Sequence, residues 1–360
     1  MSAPLPRSLH IIGGKGLGGA ERFCIRLVNA LARHGAPVAA ITVAGGEIAR
    51  AIDTTIPHYH APMLGGWDVY SRWRILRHIA DFQPDIVQTY MGRATRMLHL
   101  ARGQKPVHIA RLGGFYNLKS YRHAHAWVGN TQGILDYLVN QGGLPAERAF
   151  HIGNFVDTPA RVNPADLDAL RAQLGLSGSR VVLGLGRLHP NKGWQDLLQA
   201  FARLPEVIED QPLRLLMVGD GPERAALAAL SDQLGISTRV HWAGWQVDPA
   251  PYYQLADVFV CASVHEPLGN VILEAWVNKA LLVSTRAQGP LELVQDGVNG
   301  LLTPLADPGT LASTLLTALN LDTAGREKLL NAGWETLMAQ HSESAVVGAY
   351  LALYADLRDR

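Results

Sequence analysis

Two acids and two bases in the second half of the chain have the types and spacing to handle a charged, hydroxyl-rich ligand. Glu266 and Glu274, with seven residues between them, lie in Val264-His265-Glu266-Pro267-Leu268-Gly269-Asn270-Val271-Ile272-Leu273-Glu274-Ala275-Trp276. Arg187 and Lys192 lie in Arg187-Leu188-His189-Pro190-Asn191-Lys192-Gly193-Trp194. Carboxylates accept hydrogen bonds from hydroxyls, and the free N–H groups of a helix start attract an anion. An arginine forks onto phosphate oxygens and a lysine adds a point charge, so the basic pair reads as a diphosphate clamp. A ligand with hydroxyls at both ends and phosphate in the middle fits this set, and a nucleotide sugar has that layout. Two acids alone are more often a helix-start acid and a solvated helix glutamate, so the weight rests on the combination.

These residues need a scaffold, and the flanking patterns supply one. Val258-Phe259-Val260-Cys261 is short, β-branched and aromatic, which predicts a buried strand. Val271, Leu273-Glu274 and Val277-Asn278 then follow a helical pattern. Glu266 is thus expected in a loop and Glu274 one to two turns into a helix. Arg180 to Gly186 is the corresponding strand before Arg187 and Lys192. Ligands of open α/β sheets sit at the carboxyl ends of strands, against helix N-termini.

The first half opens in the same way. Ser8 to Ile12 reads as a strand, followed by Gly13-Gly14-Lys15-Gly16-Leu17-Gly18-Gly19 and a helix through Phe23, Leu27, Val28 and Leu31 to Gly35. Small residues there let backbone N–H groups approach an anion. Gly14, Gly16 and Gly19 satisfy G-x-G-x-x-G, but a dinucleotide site also wants an acid at the end of the second strand. That strand, Val38 to Val43, ends in Ala44-Gly45-Gly46, and Glu47 comes late, so a nicotinamide cofactor is disfavoured.

With these segments in view, the chain resembles the family 4 retaining glycosyltransferases of the GT-B fold. The resemblance rests on Glu266 and Glu274, on Gly269 to Ala275, on Gly289-Pro290-Leu291-Glu292-Leu293-Val294-Gln295-Asp296-Gly297-Val298-Asn299-Gly300-Leu301-Leu302, and on Gly186-Arg187 with Lys192-Gly193. It departs at Pro267-Leu268, where many members carry Gly-Phe or a similar pair. It implies an α/β fold of two Rossmann-like domains facing across a cleft, and retention of anomeric configuration. It implies that Arg187 and Lys192 hold the donor diphosphate. Gly18-Gly19-Ala20-Glu21-Arg22 looks like the family's first loop, which faces the donor phosphates and the acceptor. This makes Gly16, Gly18 and Gly19 donor-side candidates and Glu21 an acceptor-side candidate. Many members carry a histidine after the strand that here is Val107 to Leu112, close to the reacting sugar. Here Gly113-Gly114 stand there, with Arg111 just before, so Arg111 and Gly113 are the acceptor-side candidates. His108 and His123 are alternatives, each more often a packed or surface histidine. Loops after Leu213–Val218 and Val240–Gly244 meet the nucleotide base in the family. Trp245 and Gln246 are the base candidates, whereas Met217 and Trp242 read as core.

Totals agree with two domains. At 360 residues the chain can build two full cores, and its composition is that of a soluble globular protein. Cys24 and Cys261 stand far apart in apolar surroundings, against a disulfide framework or cysteine metal site. His58 and His60 share a strand face but have no third ligand nearby, so no metal is expected. No signal-peptide-like segment or membrane span is visible, so a cytoplasmic location is expected. Residues 1–170 hold 18 Lys and Arg against 11 Asp and Glu, a net +7, while the remainder nets −6. The first half therefore suits an anionic partner. In it, Trp67 to His78 reads as a helix with Trp73, Leu76 and Ile79-Ala80 on one side and Arg72, Arg74 and Arg77 around it. A packed helix with solvated arginines is the preferred reading, contact with a membrane surface or anionic acceptor the other.

The expected organisation is a domain over 1–157 on the acceptor side, a linker and helix over 158–178, a nucleotide-sugar domain over 179–340, and a terminal helix over 341–360 that by resemblance returns to the first domain. The expected activity is transfer of a hexose-type sugar from a nucleoside diphosphate sugar to a glycan or glycolipid hydroxyl, with lipopolysaccharide core as the favoured acceptor. Glu266 is assigned the donor sugar hydroxyls and Glu274 the ribose. Leu268, Gly269 and Asn270 supply backbone donors. No cofactor or nucleic acid is implied, and the cytoplasmic membrane face is the expected place of work. A nucleotide-sugar epimerase on this fold and a non-catalytic sugar-nucleotide-binding subunit remain as rivals.

Overall fold

The computed structural model describes residues 4–14, 16, 18–65 and 68–360. Lys15 and Leu17 of the glycine run, and Trp67 of the aromatic–basic stretch, lie outside the described residues. The chain divides into two units, Met1–Asp157 with Gln340–Arg360, and Thr158–Ala339.

In the first unit, strands and helices alternate as β1 (Ser8–Ile12), α1 (Gly19–Arg33), β2 (Val38–Thr42), α2 (Glu47–Ala51), β3 (His58–His60), α3 (Val69–Phe82), β4 (Ile86–Tyr90), α4 (Met91–Met97), β5 (Val107–Leu112), β6 (Ala126–Gly129), α5 (Gln132–Asp136) and β7 (Ala149–His151). The strands form one parallel sheet in the order β3-β2-β1-β4-β5-β6-β7. A parallel sheet is covered on both faces, which is why β1, β2 and β4 are buried at every residue. Leu9, Ile11 and Val87 face one core with Ile75 and Ile79 of α3. Ile12, Ile86 and Ile109 face the other, against Phe23, Leu27 and Leu31 of α1. Each such side chain, fully withdrawn from water, contributes roughly 1.5–3 kcal/mol.

The second unit runs α6 (Pro164–Gln173), β8 (Arg180–Leu185), α7 (Trp194–Phe201), β9 (Val207–Ile208), β10 (Gln211–Val218), α8 (Arg224–Gln233), β11 (Val240–Gly244), α9 (Ala250–Leu255), β12 (Val258–Cys261), α10 (Asn270–Val277), β13 (Leu282–Thr285), α11 (Gln288–Leu293), β14 (Leu301–Thr303), α12 (Pro308–Leu319) and α13 (Thr323–Gln340). Its parallel sheet has the order β11-β10-β8-β12-β13-β14, with the short β9 antiparallel on β10. The strand order reverses direction beside β8, and there the loops after β8 and β12 become neighbours. The last helix, α14 (Glu343–Asp359), belongs to the first unit: Val347, Tyr350 and Tyr354 are fully buried in the core that α1 covers. Tyr354 donates its hydroxyl to Gln88 Oε1 at 2.9 Å. Both units are thus Rossmann-like α/β layers.

One expectation needs correction here. The buried face of α3 is Ser71, Ile75, Ile79 and Phe82, whereas Trp73 is 54% and Leu76 48% exposed. Ala80 is exposed as well. The helix carries two apolar stripes, and the smaller aliphatic one fits the space over β1 and β4. After β6, α5 gives way to a π-helical turn at Tyr137–Gln141.

Candidate functional site

The second unit brings its four charged candidates to one edge of its sheet. Val264 and His265 donate their backbone N–H groups to the Asn191 carbonyl, at 2.9 and 3.2 Å. This ties the loop after β12 to the loop after β8. Gly289 donates to the Glu266 carbonyl at 2.8 Å, fixing the loop from its other side. Lys192, 74 residues away in sequence, reaches Glu266 Oε2 at 2.5 Å. Ser263 donates to the same oxygen at 3.2 Å, and Thr285 Oγ1 holds the Ser263 carbonyl at 2.5 Å. Gly193 makes the close approach possible: its φ is +63°, and a Cβ there would lie 2.0 Å from the Ala262 carbonyl oxygen.

Electrostatics follow from this pairing. Burial alone lowers the Lys192 pKa, but the Glu266 carboxylate outweighs it by charge and hydrogen bond, with Cys261 and Glu274 adding, and the ammonium ends above the ordinary lysine value. Lys192 is therefore a fixed cation with donor capacity to spare. Glu266 has one oxygen occupied twice, while its other carboxylate oxygen has no hydrogen bond among the described residues. A carboxylate so neutralised is better suited to holding a hydroxyl than to attacking carbon. Removing either member of such a part-buried pair strands the other and costs roughly 3–5 kcal/mol.

Arg187 is exposed, and its guanidinium has no ion-pair partner among the described residues. Its carbonyl is held by Trp194 Nε1 at 2.9 Å. On α10, Glu274 accepts from the Tyr253 hydroxyl at 3.2 Å. Burial pushes that phenol well above its ordinary pKa, and the Glu274 charge pushes it further, so Tyr253 stays a donor. The start of α10 follows Gly269, and no side chain caps it. Leu268 is buried, Gly269 is buried and Asn270 is half-buried. Trp245, just beyond β11, is 58% exposed, and Gln246 turns its amide back onto the Ala243 carbonyl at 2.7 Å. Met217 is core, and Trp242 is half-buried under the Arg224 guanidinium, 4.0 Å from its ring centroid.

In the first unit, the carboxyl ends of β1, β4, β5 and β6 also meet at one edge. Glu21, in the first turn of α1, is buried against the glycine run: a Cβ at Gly14 would lie 2.5 Å from Glu21 Oε1, and one at Gly18 2.7 Å from Oε2. Gly18 precedes α1 and Gly19 is its first residue, while Gly16 is exposed with open space around it. Arg93 of α4 lies along Gly13 and donates to its carbonyl at 3.1 Å. Gly113 sits over Asn130, which follows β6 and whose buried Oδ1 has no hydrogen-bond partner among the described residues.

Arg111 needs correction as an acceptor-side contact. It is 2% exposed, bonded to Asn154 Oδ1 and stacked 4.0 Å from the Phe23 ring centroid. It supports the surface at Gly113 from beneath. His108 is fully buried on Thr89, and His123 bonds the Thr95 carbonyl, so both serve packing. His58 and His60 lie 4.7 Å apart on β3, and among the described residues no group of three or more His, Cys, Asp or Glu is arranged to hold a metal ion.

Four residues of these sites were not picked out from sequence: Arg93, Asn130, Tyr253 and Ser263. The first, second and fourth lie within three residues of a strand's carboxyl end, and that position was the available signal. Tyr253 gave none, because its partner Glu274 lies 21 residues on.

Comparison with known proteins bears on both units. The family model described as Glycosyltransferase Family 4 matches residues 17–159, and that described as Glycosyl transferases group 1 matches residues 179–320. The lipopolysaccharide core biosynthesis glycosyltransferase LpsE of Rhizobium meliloti is 37% identical over 342 residues, covering 94% of this chain and 96% of LpsE. LpsD of the same organism is 33% identical, covering 94% and 95%. The structure of Anabaena Alr3699/HepE, solved with UDP and glucose, superposes with a TM-score of 0.82 over 98% of this chain and 100% of that one, at 21% identity.

Proposed function

The chain belongs to the family 4 glycosyltransferases, enzymes of the GT-B fold, and from that membership we propose that it moves a hexose-type sugar from a nucleoside diphosphate sugar to a hydroxyl of a lipopolysaccharide-core-like glycolipid. The observation that carries the donor half is the Lys192–Glu266 pair beside the open cation Arg187, at the strand ends of the second unit. The UDP and glucose in the HepE structure and the lipopolysaccharide core role in the names of LpsE and LpsD support the two halves of the reading.

In this mechanism the bond between the sugar's anomeric carbon and the β-phosphate oxygen breaks, leaving negative charge on that oxygen. Arg187, Lys192 and the N–H groups at the start of α10 stabilise it. One such preorganised donor is worth roughly 3–4 kcal/mol. Glu266 holds donor sugar hydroxyls with its open oxygen, and Glu274, steadied by Tyr253, holds the ribose. Trp245 and Gln246 lie on the base side. The acceptor hydroxyl attacks the anomeric carbon, and its proton passes to the departing phosphate oxygen on the same face. The configuration is retained without a covalent enzyme intermediate. Arg187 and Lys192 supply the charge that a divalent ion supplies elsewhere, so EDTA leaves the rate unchanged. Glu21, Arg93 and Gly113 of the first unit face the acceptor. The basic first unit works at the inner face of the cytoplasmic membrane.

The test is transfer from isotopically labelled UDP-, GDP- and ADP-sugars to purified lipopolysaccharide core, with the product's anomeric linkage read by NMR. One nucleotide sugar gives a labelled core with the donor's configuration. An inverted linkage, or a sugar trapped on Glu266, contradicts the mechanism, and no transfer from any of the three contradicts the donor assignment.

A further inference from the structure

Leu64, Val69, Tyr70, Trp73 and Leu76 are 48–78% exposed and fall within thirteen residues. Val69, Tyr70, Trp73 and Leu76 stand three and four apart along α3, which makes one outward stripe opposite the buried Ile75 and Ile79. The Tyr70 and Trp73 rings stack at 6.2 Å. Arg74 lies 5.9 Å from the Tyr70 centroid and Arg77 5.6 Å from the Trp73 centroid. Between Asp68 and Asp81 there is no acid. Asp68 is spent on the Ser71 cap, and Asp81 lies 3.9 Å from Arg77.

A face with this composition is costly to leave in water. Aromatic rings and aliphatic side chains in the middle, with guanidiniums beside them, match the boundary between lipid headgroups and acyl chains. The location gives the face a use. The segment leading into α3 is bonded to it through Met63 N–H to Ser71 Oγ at 2.8 Å and Leu64 N–H to Asp68 Oδ2 at 2.9 Å. Met63 Sδ in turn packs on Gly13, where a Cβ would lie 3.3 Å from it. The apolar stripe therefore begins at the same edge of the first unit as the glycine run, Glu21 and Arg93.

We propose that the outward face of α3 docks this protein on an anionic lipid bilayer, with Trp73 and Leu76 inserted at the headgroup boundary and Arg74 and Arg77 on lipid phosphates. This deepens the glycolipid-acceptor reading and rests on it for its purpose: the bilayer delivers a lipid-anchored hydroxyl beside the Glu21 edge. Charge complementarity favours a bilayer as occupant, because the stripe has cations at its flanks and sits on the half of the chain with a net +7.

The experiment is flotation of the full chain with vesicles of phosphatidylglycerol and phosphatidylethanolamine, and with phosphatidylcholine alone. The wild type floats with the anionic vesicles and releases with added salt. Trp73→Ser with Leu76→Ser weakens partition at least about tenfold. Arg74→Gln with Arg77→Gln weakens it roughly 30-fold, at about fivefold per arginine, and only on the anionic vesicles. Both variants keep wild-type nucleotide-sugar binding by calorimetry, which shows that the fold is intact. A wild type that stays unbound, or variants that float like it, would overturn the proposal. A concentration-dependent dimer that Trp73→Ser dissociates, without vesicle binding, would overturn it too and give the face to a second copy. Trp73-dependent flotation with transfer only to a soluble sugar supports docking while overturning the glycolipid reading.

Discussion

The two units place charged groups at the same edge of the same kind of sheet, but they treat those groups differently. In the second unit the charges are bound to one another in advance: Lys192 to Glu266, Ser263 to the same carboxylate, Tyr253 to Glu274. In the first unit the edge is lined by glycines around Glu21, with Arg93 laid across Gly13. A prepaired network fixes where developing charge is stabilised and needs little rearrangement at the moment of reaction. At the first unit's edge the missing side chains of Gly13, Gly14 and Gly18 let Arg93 and Glu21 lie directly on the backbone, and Gly16 stands in open space. On the proposed reading, the second unit's edge is built to hold charge in place, and the first unit's edge carries the acceptor-side groups.

Breaking the donor network gives the largest effect. Lys192→Ala is expected to lower kcat by about 10²–10³, with donor affinity falling less, in steady-state transfer assays. Equal loss of kcat on Glu21→Gln would erase the distinction between the halves. Gly193→Ala tests the geometry without touching a charge. Its Cβ meets the Ala262 carbonyl, so the Lys192 loop must shift, and kcat falls while the first unit's stability stays at wild-type level.

A pH experiment separates the units by stability. The buried histidines His10, His108 and His341 all belong to the first unit. Burial holds His10 at about 3 and His108 well below 6.5, and it lowers His341 as well. Because these pKa values are depressed, the stability they contribute is present above the unfolded value near 6.5 and is lost as pH falls below it. By pH 4 the loss reaches up to about 3 kcal/mol for His10, with His108 and His341 adding in the same direction. Hydrogen exchange at decreasing pH is expected to expose the first unit's strands before those of the second. Simultaneous opening contradicts this.

The smallest effect comes from Tyr253→Phe. It removes one hydrogen bond to Glu274 and is expected to raise the donor KM about three- to tenfold with kcat nearly unchanged.

Legibility in the sequence follows the same division. β12 and the loop after it are read correctly because their signals are local: an apolar strand, a glycine and a helix start within some twenty residues. The two-domain α/β fold is legible for that reason, repeated along the chain. The Lys192–Glu266 contact is not, since only the sheet order brings those loops together. Arg111 misleads because a charged residue at a strand end ordinarily faces water. Here the Phe23 ring and Asn154 take the guanidinium inside. Trp73 and Leu76 mislead because α3 carries two apolar stripes, and helical spacing fixes a stripe without telling which one the sheet accepts.

The most direct test of the donor assignment is calorimetric titration of UDP-, GDP- and ADP-sugars into the wild type, Arg187→Ala and Glu266→Gln. The account predicts saturable binding of one of the three by the wild type, at least about tenfold weaker in Arg187→Ala, which loses a charge-assisted contact. It also predicts that Glu266→Gln discriminates less between the sugar nucleotide and the bare nucleoside diphosphate. Binding that neither substitution alters would contradict it, because the donor would then lie away from the Lys192–Glu266 edge.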